Sequence, residues 1–154
     1  MRSRIYIDTS VIGGCCDHEF AEWSNALFSE FRSGIKIAVV SDLTLLELEH
    51  APQKVKAILA TIPPAHVEDV FLDKESIALS DRYITEKVVG SKHLVDAQHI
   101  AVATMKRVDV LVSWNFKQIV NLDRVRAFNA VNLKMGYPMI EIRSPREVLR
   151  EKGN

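Results

Sequence analysis

A chain of 154 residues, 47% hydrophobic and 26% charged, carries enough apolar material for one globular domain with a substantial core. Its 20 Lys and Arg balance 20 Asp and Glu, which argues against strong non-specific attraction to nucleic acid. No apolar run approaches the roughly 20 residues that cross a bilayer, and the opening "MRSRIYIDTS" has no signal-like region, so the expectation is a cytoplasmic protein without a membrane span.

Five β-rich runs punctuate the chain: "IYI" (5–7), "KIAVV" (36–40), "HVEDVFL" (66–72), "DVLVSW" (109–114) and "MIEIR" (139–143). Several lack polar alternation, as strands covered on both faces do. After the first run come Asp8, Thr9, Ser10 and then Gly13 and Gly14, read as a turn or a close backbone approach. The adjacent Cys15 and Cys16 are read as a reduced, space-filling pair, since neither a disulfide framework nor a thiolate metal site has that spacing. Residues 18–32 form an amphipathic helix with Phe20, Trp23, Leu27, Phe28 and Phe31 on one face. Residues 42–50 and 52–61 form a helix pair broken at Pro52. Asp73 caps a helix running to about Val89, with Gly90 beyond it, and residues 93–107 give a helix that is apolar nearly all round. Asp123 caps another, to about Met135, followed by Gly136, and Pro145 opens a short last helix.

Alternating strand and helix predicts an α/β fold: a three-layer α/β/α sandwich around a mainly parallel sheet of about five strands. The expectation is a single domain over residues 1–154, in which 122–154 supply a helix, a strand and a short helix that complete it. The charges are unevenly spread: residues 1–77 carry 7 Lys and Arg against 12 Asp and Glu, and residues 78–154 carry 13 against 8. Such a split can set a basic rim beside an acidic pocket.

Three acids occupy positions where burial is expected. Asp8 follows the first strand, where α/β folds gather ligands, although an N-cap aspartate is the plainer role. Glu47 shares a helical face with Leu43, Leu46 and His50, which turns it towards the core unless it lies at the edge of that stripe and reaches water. Asp96 opens the apolar helix on the face of Ile100 and Ala103; His99, one turn on, reads as a satisfied structural histidine. Asn115 follows the fourth strand as Asp8 follows the first, with Ser113 just before it. Three converging carboxylates repel one another unless a cation neutralises them, and all-oxygen donors select Mg²⁺ or Mn²⁺ over zinc.

With those residues in place, the chain resembles the PIN domain family, particularly the single-domain ribonucleases of prokaryotic type II toxin–antitoxin systems. "IYIDTSVI", "VVSDLTLLELE", "LVDAQHIAVA" and "VLVSWNFKQI" are similar to its four motifs in order and spacing, from Ile5 to about Asn121. The resemblance implies a metal-dependent endoribonuclease that hydrolyses RNA phosphodiesters to 5′-phosphate and 3′-hydroxyl ends. It implies that Asp8, Glu47 and Asp96 hold Mg²⁺ or Mn²⁺, and that Asn115 stands where many members have a fourth acid. Thr9, Ser10 and Ser113 then become supporting hydroxyls, and Lys92, Lys106, Arg107 and Lys117 candidate contacts to the RNA backbone. It also implies a homodimer and a small antitoxin protein as partner. Asn115 and the neutral charge leave one alternative, a catalytically weak PIN-like module that binds RNA or protein. A haloacid-dehalogenase-type phosphatase fits less well, because that family has a second Asp where this chain has Ser10.

Overall fold

The computed structural model describes residues 2–150, so residue 1 and residues 151–154 of the expected domain lie outside the described residues. Five strands form one sheet: β1 (Ser3–Ile7), β2 (Lys36–Ser41), β3 (Val67–Val70), β4 (Val110–Val112) and β5 (Ile142–Arg143). Every pairing is parallel, and the order is β3-β2-β1-β4-β5. The chain therefore adds strands to one side of β1, then crosses back to add β4 and β5 on the other. That reversal between β1 and β4 is the switch point, where loops diverge and leave a crevice beyond the carboxyl ends of the strands.

Successive strand residues face opposite layers. Tyr6, Val39 and Leu111 join one core with α5 (Lys74–Thr85), α6 (Leu94–Met105) and α7 (Leu122–Lys134). Ile5, Ile7, Ala38, Val40, Val110 and Val112 join the other with α1 (Thr9–Gly14), α2 (Ala21–Arg32) and α4 (Gln53–Leu59). The three-layer α/β/α expectation is borne out. No helix among the described residues is long and apolar enough to cross a membrane.

Local differences from the sequence reading have identifiable causes. Residues 9–14 form α1 where a turn was expected, because the Asp8 side chain accepts from the Val11 N–H and caps a helix too short to show a period. Gly14 is needed for packing: a Cβ there would lie 2.5 Å from Ser24 Oγ and 2.7 Å from Trp114 Nε1. Helix α3 (Asp42–Leu48) buries Leu43, Thr44 and Leu48, while Leu46 is 58% exposed and His50 is exposed, contrary to the expected Leu43–Leu46–His50 face. Thr44 takes the inward place because its hydroxyl donates to the Ile7 carbonyl. Helix α5 stops at Thr85, short of Val89, because Lys87 adopts a left-handed φ of 60° and the Val88 N–H closes onto Tyr83 O. The N-cap of α7 is Asn121, which accepts from the N–H groups of Asp123 and Arg124, and not Asp123. Only Cys15 of the cysteine pair is buried; Cys16 is exposed and fills no core space.

Candidate active site

Asp8 stands one residue past β1 and is only 5% exposed. Its Oδ1 accepts from Ser10 Oγ at 2.6 Å and the Val11 N–H at 3.3 Å, and its Oδ2 accepts from Ser113 Oγ at 2.6 Å. Both serines are fixed in turn, since the Trp114 N–H donates to Ser10 Oγ and the Asn115 N–H to Ser113 Oγ. The loops after β1 and β4 are thus laced together across the switch point, with Asp8 as the knot. Burial pushes the Asp8 carboxyl above its ordinary value, opposed by the positive charge of nearby His99 and by the serine and backbone donors.

Glu47, in the last turn of α3, is half-exposed, yet it is held by two donors on Oε1: Thr9 Oγ1 at 2.9 Å and His99 Nε2 at 2.7 Å. Burial by itself would raise its pKa, but the His99 hydrogen bond and charge, with Thr9, prevail and hold it below the usual range. His99 is buried, and its Nδ1 meets the Tyr6 hydroxyl at 2.6 Å, which itself meets Ser41 Oγ at 2.6 Å. This chain from Ser41 through Tyr6 and His99 to Glu47 runs under the site. His99 is therefore the satisfied histidine expected, and it also orients a candidate acid. Tyr6 escaped the sequence reading; the available signal was a phenol between two isoleucines of a buried strand, where its hydroxyl needs a partner.

Asp96 lies in the first turn of α6, half-buried, with its Oδ2 3.6 Å from His93 Nδ1. Burial raises its pKa, and the charges of Asp8 and Glu47 raise it further, while His99 and His93 oppose the shift. The three acids are near enough to feel one another electrostatically. They do not form a closed cage: among the described residues, no three Asp, Glu, His or Cys side chains are grouped as metal ligands. The donor set fits a hard divalent cation in kind, being all carboxylate oxygen with a mutual repulsion that a cation relieves.

Asn115 is committed to a turn. Its Oδ1 accepts from the Gln118 N–H at 2.9 Å, and its carbonyl accepts from the N–H groups of Ile119 and Val120. Of the candidate basic residues, Lys92 lies in the short turn leading into α6, and Lys117 follows Asn115 closely. Lys106 and Arg107 are not brought to the site. They sit at the far end of α6, roughly 15 Å along its axis from Asp96. There the guanidinium of Arg4, near the start of β1, binds both their carbonyls. Lys106 also faces Asp73, and Arg107, at φ 53°, closes the helix. An apolar cleft of about 560 Å³, lined by Leu45, Leu48, Leu59, Ile62 and Val67, includes none of the three acids.

The raised pKa of Asp96 has a thermodynamic sign. A group with a raised folded-state pKa contributes stability below its ordinary value, here 3.8, and that contribution is lost as pH rises through the folded pKa. In EDTA, Asp96→Asn is expected to gain melting temperature relative to the native chain as pH increases from about 4 to 7. Thermal melts of both proteins across that range check it; a constant difference contradicts it.

No family model matches the chain, and no curated protein matches it by sequence. Solved structures do match. VapC20 of Mycobacterium tuberculosis, described as a Sarcin-Ricin loop cleaving toxin, aligns with a TM-score of 0.57 at 13% identity, covering 88% of this chain and 98% of that one. FitAcB of Neisseria gonorrhoeae aligns at 0.56 and 16%, covering 92% and 97%. The DNA-bound VapBC of Salmonella typhimurium aligns at 0.55 and 18%, covering 94% and 99%. At such identities the likeness is one of fold: this chain has the α/β/α fold of the PIN-domain VapC toxins.

Proposed function

We propose that the protein is a metal-dependent endoribonuclease, acting as the toxin of a toxin–antitoxin pair. The observation that carries the reading is the lacing of Asp8 at the β1/β4 switch point, with Glu47 and Asp96 near enough for their charges to interact. Asp8, Glu47 and Asp96 would hold Mg²⁺ or Mn²⁺. When bound, that ion would acidify a water and polarise the scissile phosphate. Ser10 and Ser113 fix both oxygens of Asp8, and Thr9 and His99 fix Oε1 of Glu47, so these two carboxylates are oriented before substrate arrives. Glu47, kept ionised by His99, is able to take a proton from the attacking water. Lys92, in the turn before α6, and Lys117, two residues after Asn115, would contact RNA phosphates in this reading. An antitoxin partner is supported by the likeness to FitAcB and VapBC, and a homodimer and a cytoplasmic location belong to the same reading.

A second reading, a catalytically weak module that binds RNA or protein, is favoured by one observation: the fourth motif position is Asn115, whose side-chain Oδ1 is spent on the Gln118 N–H. Incubating the purified protein with a labelled structured RNA in Mg²⁺, Mn²⁺ or EDTA separates the two. Cleavage in either metal and none in EDTA is expected. No cleavage of RNA, together with no metal binding by calorimetry, replaces the nuclease by the module.

A further inference from the structure

The fold assembles a row of aromatic side chains from two distant parts of the chain, α2 with its approach and the loop after β4. Phe20, just before α2, stacks on Trp114 with centroids 4.2 Å apart and an interplanar angle of 16°. Trp23 meets Trp114 edge-on at 6.3 Å, and Phe116 lies 6.0 Å from Trp114 and 6.4 Å from Phe20. One end of the row is closed, because the Arg146 guanidinium lies 5.1 Å from the centre of the Trp23 ring. The other end is open: Phe116 is 49% exposed although it touches two rings.

Three features make that open end more than a loose apolar corner. Phe116 is held rigidly, on the turn that Asn115 pins through Gln118, Ile119 and Val120, with its own N–H donating to Trp114 O. Its loop is tied to the candidate site, since the Trp114 N–H, two residues before Phe116, donates to Ser10 Oγ, which donates to Asp8 Oδ1. It is followed by the exposed cation Lys117. A fixed aromatic face, with a lysine next to it in sequence and a candidate metal-binding carboxylate tied to the same loop, offers the elements that receive one base and one phosphate of a flexible strand.

We propose that Phe116, backed by Phe20 and Trp114, is a stacking platform for a base of single-stranded RNA whose backbone passes Asp8. This rests on the ribonuclease reading and narrows it to unpaired RNA. It gives Asn115 a positioning role: the residue shapes the turn that presents Phe116. A duplex cannot use the platform, because its bases are already stacked.

Both tryptophans of the chain belong to the row, so occupancy has its own optical signal. Binding of a fluorescein-labelled oligoadenylate in EDTA, where no cleavage intervenes, is followed by anisotropy and by intrinsic tryptophan fluorescence. The expected result is quenching on binding by the native protein, and affinity about tenfold weaker in Phe116→Ala and Phe116→Leu. Phe116→Trp restores binding, and the salt dependence is the same in all variants because no phosphate contact has changed. Melting temperature and oligomeric state are measured for each variant. Equal affinity in the native protein and Phe116→Ala overturns the platform, as does a native protein that binds no oligoadenylate. A change of oligomeric state in Phe116→Ala also overturns it, making the patch a protein interface. If the oligonucleotide binds as described but no RNA is cut in Mg²⁺ or Mn²⁺, the ribonuclease reading fails and the platform stands.

Discussion

Asp8→Asn is expected to lower RNA cleavage about a thousandfold while raising the melting temperature of the metal-free protein. The loss follows from removing the one acid whose two oxygens are both fixed by donors at the switch point, a change of the size seen when a preorganised charged group is lost. The gain in stability follows from the same burial. Asp8 is charged at a cost, which its raised pKa records: its stabilising contribution is present at low pH and is lost as pH rises through the folded value. An asparagine keeps an acceptor for Ser10 and the Val11 N–H and directs its amide at Ser113, so little hydrogen bonding is forfeited. A gain of about 1 kcal/mol, a few degrees, is the usual size when an active-site strain is relieved. Single-turnover cleavage and thermal melts in EDTA at neutral pH test both halves. Unchanged cleavage by Asp8→Asn would remove Asp8 from the site; a lower melting temperature would show that its hydrogen bonds outweigh its desolvation.

The second large effect concerns two glycines that sit side by side and behave differently. Gly14→Ala places a methyl group 2.5 Å from Ser24 Oγ and 2.7 Å from Trp114 Nε1, atoms that share a hydrogen bond of 2.8 Å. Ser24 is also tied to the Val11 carbonyl, and Trp114 is wedged against Phe20, so neither yields cheaply. Overpacking together with a strained or broken indole hydrogen bond is expected to cost about 2–3 kcal/mol, or roughly 5–10 °C of melting temperature. Gly13→Ala meets nothing within 4 Å and adds helix propensity to α1, so it is expected to stabilise by about 0.5–1 kcal/mol. Chemical denaturation of the two variants gives opposite signs if this account is right. Equal effects would mean that Trp114 and Ser24 are free to move.

The strands were legible in the sequence because parallel strands buried on both faces are continuous apolar runs, and each of the five runs overlaps a strand; β1 and β2 extend beyond their runs, while β3, β4 and β5 are shorter than theirs. The capping signals were legible where a single side chain decides the matter, as at Asp73, which accepts from Ser76. They failed where two neighbours compete, as Asn121 does with Asp123. Helix α1 was invisible because its six residues are too few to show periodicity and end in two glycines. The facing of α3 was misread because a threonine bonded to a strand carbonyl took the place assumed for Leu46.

The candidate acids could be named from their positions in the chain: a carboxylate directly after a strand or at the head of an apolar helix is costly enough to be conspicuous anywhere. What holds them could not. Ser113 on Asp8, the Tyr6–His99 chain under Glu47 and the contact of Trp23 with Trp114 all join residues dozens of positions apart. Local composition carries the cost of burying a charge or an indole, because that cost belongs to the residue itself. The partner that offsets it is chosen by strand order and helix packing, and only the folded chain sets β4 against β1 so that Ser113 comes to stand beside Asp8 and Trp114 against Phe20.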